Sequence, residues 1–204
     1  MKVWEIRNDN KGIFEVFSVE GKVSQNSLDW APSASPLLAA VSSDSKLTIA
    51  YLANSIWRSI SIPISSNELT AVAFLPDLVE GKLILAIASG QDILIRSLDP
   101  ETKHLEKVLD IQGSHKQTVY DLAWNPIERL LASVGEDGVV NIHRLVLEGT
   151  PSVQTIAVQK GEKRRRAEWN VMGTMLAVRN VAAGHASTID VFEEDIEGKW
   201  VLAK

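Results

Sequence analysis

Residues 114–145 read SHKQTVYDLAWNPIERLLASVGEDGVVNIHRL, and the punctuation of this stretch decides the fold. Val119 to Trp124 alternates and stops at Asn125-Pro126, the pattern of a strand ended by turn residues. Leu130-Leu131-Ala132-Ser133-Val134 is small and apolar, as a strand covered on both faces should be. Gly135-Glu136-Asp137-Gly138 supplies a tight turn, with Asp137-Gly138 as its hairpin dipeptide. Val139 to Leu145 alternates again. The spacing predicts three antiparallel strands, entered through His115, and makes this unit a template against which the rest of the chain can be compared.

The template recurs on both sides. Ser27-Leu28-Asp29-Trp30-Ala31-Pro32 nearly copies Asp121 to Pro126. It leads into a buried strand at Leu37–Ser42, a turn at Ser43–Ser45, a third strand at Lys46–Leu52 and a fourth at Trp57–Ile62. The next unit places its strands at Leu69–Pro76, Leu83–Ala88, Ile93–Leu98 and Leu105–Ile111. The last opens at Arg166–Asn170, continues at Thr174–Val178 and Thr188–Phe192, and closes at Lys199–Leu202. At the start, Lys2–Ile6 reads as a third strand and Gly12–Phe17 as an outer one, so the chain opens halfway through a unit. The first-strand aromatics Trp30, Phe74, Trp124 and Trp169 lie 44, 50 and 45 residues apart, close to the roughly 40–45 residues of a four-stranded propeller blade. No amphipathic helix interrupts them.

The expectation is an all-β, single-domain β-propeller. Its half blade spans 1–20, and its blades span 21–64, 65–112, 113–160 and 161–204. About four and a half blades are visible, out of a ring of six or seven. Unpaired sheet edges seek partners. The amino-terminal blades are therefore expected to lie outside this chain, or strands are expected to arrive from another polypeptide.

Composition narrows the chemistry. The chain has 204 residues and no cysteine, which excludes disulfides, thiolate catalysis and Cys-ligated zinc, and fits a reducing compartment. A formal charge of −5 gives no global field that points to nucleic acid. No apolar run reaches the ~18 residues of a membrane helix, and the acid-bearing start Met1–Ile6 is too short and polar for a signal peptide. Direct membrane insertion is not expected.

Among chemistry-bearing residues, His115, Ser133 and Asp137 could be taken for a hydrolase triad. Ser133 sits on a strand expected to be buried, where a nucleophile could not meet substrate. The three are assigned to a structural network instead. The four histidines His104, His115, His143 and His185 show no metal-ligand spacing. Ala182–His185 reads as an ordinary turn rather than a phosphate loop, and Glu193–Asp195 as part of a solvated hairpin. No cofactor, metal or small-molecule substrate is expected, and the first strands, largely Ala, Leu and Val, offer a central channel little for catalysis. Lys163-Arg164-Arg165-Arg166 is the one strong charge run; it falls in a predicted loop, where it is solvated, a contact for an acidic protein segment, or a nuclear-import signal or nucleic-acid patch. No aromatic platform beside it supports base stacking. Trp57 and Arg58, on an outer strand, are a weaker contact candidate.

His115, Ser133 and Asp137 occupy positions similar to the His–Ser–Asp hydrogen-bond network of the WD-repeat family, whose fourth member, Trp, is here His143, so the network is expected to be cut short. Val3-Trp4-Glu5 is similar to that family's Trp-Asp ending. Ala167-Glu168-Trp169-Asn170-Val171-Met172-Gly173-Thr174-Met175-Leu176-Ala177 and Asp190 to Trp200 resemble the final repeat of the Sec/Seh-type scaffold propellers of the COPII coat and the nuclear pore Y-complex, with Phe192 where that family has Trp. The basic run before Trp169 and Asn180–Gly184 depart from its pattern. The resemblance implies a non-enzymatic, intracellular scaffold at the nuclear pore, whose open ring takes strands from an α-solenoid nucleoporin or coat subunit. A WD-repeat adaptor or substrate receptor, for example in a ubiquitin ligase, remains the alternative, and an enzyme is a third class that the fold does not exclude.

Overall fold

A computed structural model describes residues 1–7, 12–18, 23–147, 152–160, 163–181 and 186–203. Among them every regular element is a strand. These are β1 (Lys2–Arg7), β2 (Gly12–Ser18), β3 (Gln25–Trp30), β4 (Leu37–Ser42), β5 (Lys46–Ala53), β6 (Ile56–Pro63), β7 (Leu69–Val79), β8 (Lys82–Ser89) and β9 (Asp92–Leu98). They continue with β10 (Leu105–Ile111), β11 (Val119–Trp124), β12 (Leu130–Gly135), β13 (Val139–Val146), β14 (Ser152–Lys160), β15 (Arg164–Trp169), β16 (Met175–Asn180), β17 (Thr188–Glu194) and β18 (Trp200–Leu202). The chain is all-β, and no helix among the described residues is long and apolar enough to cross a membrane.

Sequence-local turns fold consecutive strands onto one another. Asn54-Ser55 between β5 and β6, and Glu80-Gly81 between β7 and β8, hold φ of 52° and 61°, and of 50° and 77°. Positive φ at both central residues is the two-residue hairpin turn whose twist matches paired strands. The results are four antiparallel meanders, β3–β6, β7–β10, β11–β14 and β15–β18, and a two-stranded sheet of β1 and β2. Two departures from the sequence expectation stand out. β7 runs on through Pro76 to Val79, and its register shifts between Phe74 and Leu78, which accommodates a residue without an amide proton. The basic run is not a loop: Arg164, Arg165 and Arg166 open β15, and only Lys163 precedes it.

The meanders stack face to face. β3 contacts β7, β7 contacts β11, and β11 contacts β15, so first strand stands beside first strand. That arrangement is compatible with a propeller-like fold, and among the described residues no sheet closes on itself. Leu47 and Ile49 meet Leu69, Phe74 and Ile87 at the first interface. Ile84, Ile93 and Ile95 meet Val119, Trp124 and Leu131 at the second. Val134 and Ile142 meet Trp169, Leu176 and Phe192 at the third. The strands between two interfaces, β4 and β12, are buried at every residue. The small two-stranded sheet covers part of the first meander, with Val3 packed on Leu38, Ala40 and Ala50. β16 instead alternates, with Met175 and Arg179 exposed, because no described residue covers its far face.

One joint locks the last two meanders. Asn125, almost fully buried, donates from Nδ2 to the Gly173 carbonyl at 2.7 Å, and its Oδ1 accepts the amides of Ile127 and Glu128. Gly173 holds φ of +67°, and a Cβ there would lie 2.3 Å from that Oδ1. Only glycine fits.

Candidate interaction site

Neighbouring first strands are joined by a repeated set of hydrogen bonds, best described relative to the aromatic at 30, 74, 124 or 169. Where the aromatic is Trp, its ring N–H reaches the preceding strand. Trp124 Nε1 donates to the carbonyl of Ala73 at 3.1 Å, and Trp169 Nε1 to that of Ala123 at 3.0 Å. Each acceptor lies one residue before its own strand's aromatic. Where the aromatic is Phe74, which has no ring donor, Asp29 takes over: its Oδ2 accepts the Phe74 amide at 2.7 Å. A second bond joins the residue two before one aromatic to the side chain three before the other. The Val72 amide donates to Ser27 Oγ at 3.4 Å, and the Ala167 amide to Asp121 Oδ2 at 3.0 Å.

β3 has no such neighbour on its other side. Trp30 is 50% exposed and Leu28 55%, whereas Trp124 and Trp169 are 7% and 9%, and Val72, Leu122 and Ala167 are at most 5%. The outer strands of the first meander are covered by β1 and β2; its inner strand is not. Between them opens a cleft of about 740 Å³, lined by Val3, Trp4 and Glu5 of β1, by Trp30, and by Leu52 and Trp57. β1 pairs with β2 and residues of both strands line the cleft, as does Trp30 of β3, a strand that pairs on one side only, with β4. An apolar cleft beside a strand edge can take an added strand: backbone groups supply affinity and alternate side chains supply selection. Nothing in the residue pattern of β3 alone signals this site, because Leu28 and Trp30 match their buried counterparts.

The residues singled out from sequence fall into three places. His115, Ser133 and Asp137 come together: His115 Nδ1 lies 3.0 Å from Asp137 Oδ1 and its Nε2 lies 2.9 Å from Ser133 Oγ. A Cβ at Gly135 would sit 2.8 Å from that Nδ1, so glycine makes room for the ring. Ser133 has no exposed surface. The expectation of a shortened network is corrected. His143 extends it, with Nε2 3.3 Å from Ser133 Oγ and Nδ1 2.9 Å from Thr155 Oγ1. Burial, and then the neighbouring His115, push the His143 pKa down to about 4, while Asp137, despite its burial, is held below the usual carboxylate range by its bonds to His115 and two backbone amides.

The basic run faces the third meander. Lys163 Nζ pairs with Glu136 at 2.8 Å, Arg165 lies over the Tyr120 ring at 3.9 Å, and Arg166 Nε is 3.8 Å from Asp121. A run that is exposed yet matched in this way serves as a seam between strands; the side chain of Arg164 lies outside the described residues, as does the turn 182–185. Trp57, half-buried on β6, stacks on Phe17 with centroids 5.6 Å apart and meets Trp30 edge-on at 6.3 Å. It belongs to the cleft, and Arg58 beside it is exposed. Among the described residues no cluster of His, Asp and Glu is arranged to hold a metal.

The first strands carry more polarity than their Ala, Leu and Val content suggested, which corrects that expectation. A central cleft of about 370 Å³ is lined in part by Asp29, Asp121, Arg166 and Glu168. Burial raises the pKa of Asp29 and of Asp121 against the lowering effect of the amides they accept. Both carboxylates act as struts between strands.

No protein-family model matches the chain, and no curated protein is detectably similar to it in sequence.

Proposed function

We propose that this protein is a non-enzymatic scaffold of WD-repeat propeller type, completed by β-strands from a protein partner. One observation carries the proposal: Leu28 and Trp30 of the edge strand β3 are half-exposed, with Trp30 lining the cleft beside β1 and β2, while their counterparts in three other first strands are buried. The resemblance of Ala167–Ala177 and Asp190–Trp200 to Sec/Seh-type propellers supports an α-solenoid nucleoporin or coat subunit as that partner, and a nuclear pore location with it. Ser133, sealed from solvent and bonded to two histidines, is a packing element, not a nucleophile.

The test is co-expression with α-solenoid subunits of the Y-complex, read by size-exclusion chromatography with light scattering. A soluble one-to-one complex is expected, and the double variant Leu28→Ser/Trp30→Ser, altered only at exposed positions, should lose it. A chain that stays a soluble monomer and ignores the solenoid overturns the proposal. The carboxylates Asp29, Asp121 and Glu168 at the central cleft favour a second reading, an adaptor that takes a basic peptide motif there. In that case short basic peptides bind, and Trp30→Ser alone, which leaves the lining of the central cleft unchanged, binds them equally well.

A further inference from the structure

We infer that the strand seated beside β3 carries a small residue whose carbonyl meets Trp30 Nε1, a contact strengthened where a side-chain acceptor such as Asp or Ser stands two residues earlier. This rests on the scaffold proposal and names the chemistry of the segment its partner supplies. The three first-strand junctions already built into the molecule supply the pattern that a further strand beside β3 would continue.

At both junctions where the later strand brings a Trp, the ring N–H ends on the carbonyl of an alanine, Ala73 or Ala123. An indole ring laid against a neighbouring backbone leaves no space for a branched side chain at that residue; alanine admits it, and so would glycine. The one exception confirms the geometry: where Phe74 removes the ring donor, the same position holds Asp29, whose longer side chain turns to the Phe74 amide. Trp30 is a Trp, so its neighbour is called on for a carbonyl over a small residue. The second contact fixes the register. At two of the three junctions Ser27 and Asp121 lie two residues before that position and accept the amide two residues before the facing aromatic; at the third that place is held by Ala71, which offers no acceptor. In β3 that amide belongs to Leu28. Asp121-Leu122-Ala123 therefore carries the required pattern within the chain itself.

The probe is this pattern supplied in trans to its usual place. A copy of residues 117–125, with its Trp replaced by Phe, is joined through a Gly/Ser linker to the amino terminus of the full chain. The amino terminus lies near the cleft, since Met1 packs with Val3, and short tethering brings the effective concentration into the millimolar range. Hydrogen exchange of the indole N–H, assigned with Trp30→Phe, is the readout. Three fusions are compared: the parent copy, one with the copied Ala replaced by Leu, and one with the copied Asp replaced by Ala. The parent should slow exchange at Trp30 by about tenfold, as one newly satisfied buried hydrogen bond would. The Leu fusion should leave exchange at the untethered rate, and the Ala fusion should give an intermediate value. Equal protection by all three overturns the inference while leaving strand addition intact. No protection by any of them overturns it too; if the solenoid partner also leaves Trp30 exposed, the scaffold proposal falls with it.

Discussion

Ser133 shows how one hydroxyl can hold two buried rings. Its Oγ lies within bonding distance of both His115 and His143, and both rings are buried. Because the folded-state pKa of His143, about 4, lies below the ordinary 6.5, folding favours the neutral ring. That contribution is complete above pH 6.5 and is lost as pH falls toward 4, where the unfolded chain takes up the proton first. Urea denaturation between pH 7 and pH 4 should therefore reveal a loss of stability of order 3 kcal/mol. His143→Gln should be less stable at pH 7 but flatter over that interval. An equally steep profile in the variant would assign the effect elsewhere. The sequence marked His115, Ser133 and Asp137 by type and spacing. It did not mark Thr155, whose role depends on β14 lying against β13.

At the scale of elements, small residues on β12 and β16 look interchangeable in sequence and are not so in the fold. Ala132 and Ala177 hold equivalent places in their strands, paired with Ala123 and Glu168 of β11 and β15. Ala132 is fully buried between two meanders, whereas Ala177 is only half-buried on the open side of the last. Ala132→Leu should cost about 1–3 kcal/mol or prevent folding, because extra methylenes in a close-packed layer have nowhere to go. Ala177→Leu should fall within about 0.5 kcal/mol of the parent. Thermal unfolding of the two variants side by side checks this; equal losses would mean that β16 is covered on both faces. Strand positions were largely legible from alternation and turn residues. The charge of the basic run points to a loop, whereas Arg164–Arg166 open β15, whose later residues Ala167 and Trp169 pack inward.

At the scale of the molecule, burial is graded along the stack. β8 and β12 lie between covered faces, while β1 and β2 form a two-stranded sheet held to the first meander through Val3 and its neighbours. Isolated two-stranded ribbons are marginal, so local opening should be cheapest there. Native-state amide exchange should rank β8 and β12 slowest and β1 fastest. Addition of a strand-donating partner should slow β1 and the Trp30 indole more than any other site. Uniform protection across the stack would contradict this gradient.

The sequence by itself determined the all-β class, the repeat and the order of strands, because alternation, small apolar runs and turn dipeptides act over neighbouring residues. Only the tertiary structure decided which repeats differ. Leu28-Asp29-Trp30 and Leu122-Ala123-Trp124 are near copies, yet one Trp is sealed against an alanine carbonyl and the other stands in an open cleft. Exposure is a property of what lies alongside a strand, and that neighbour is set by contacts 46 and 51 residues away, beyond the reach of any local pattern.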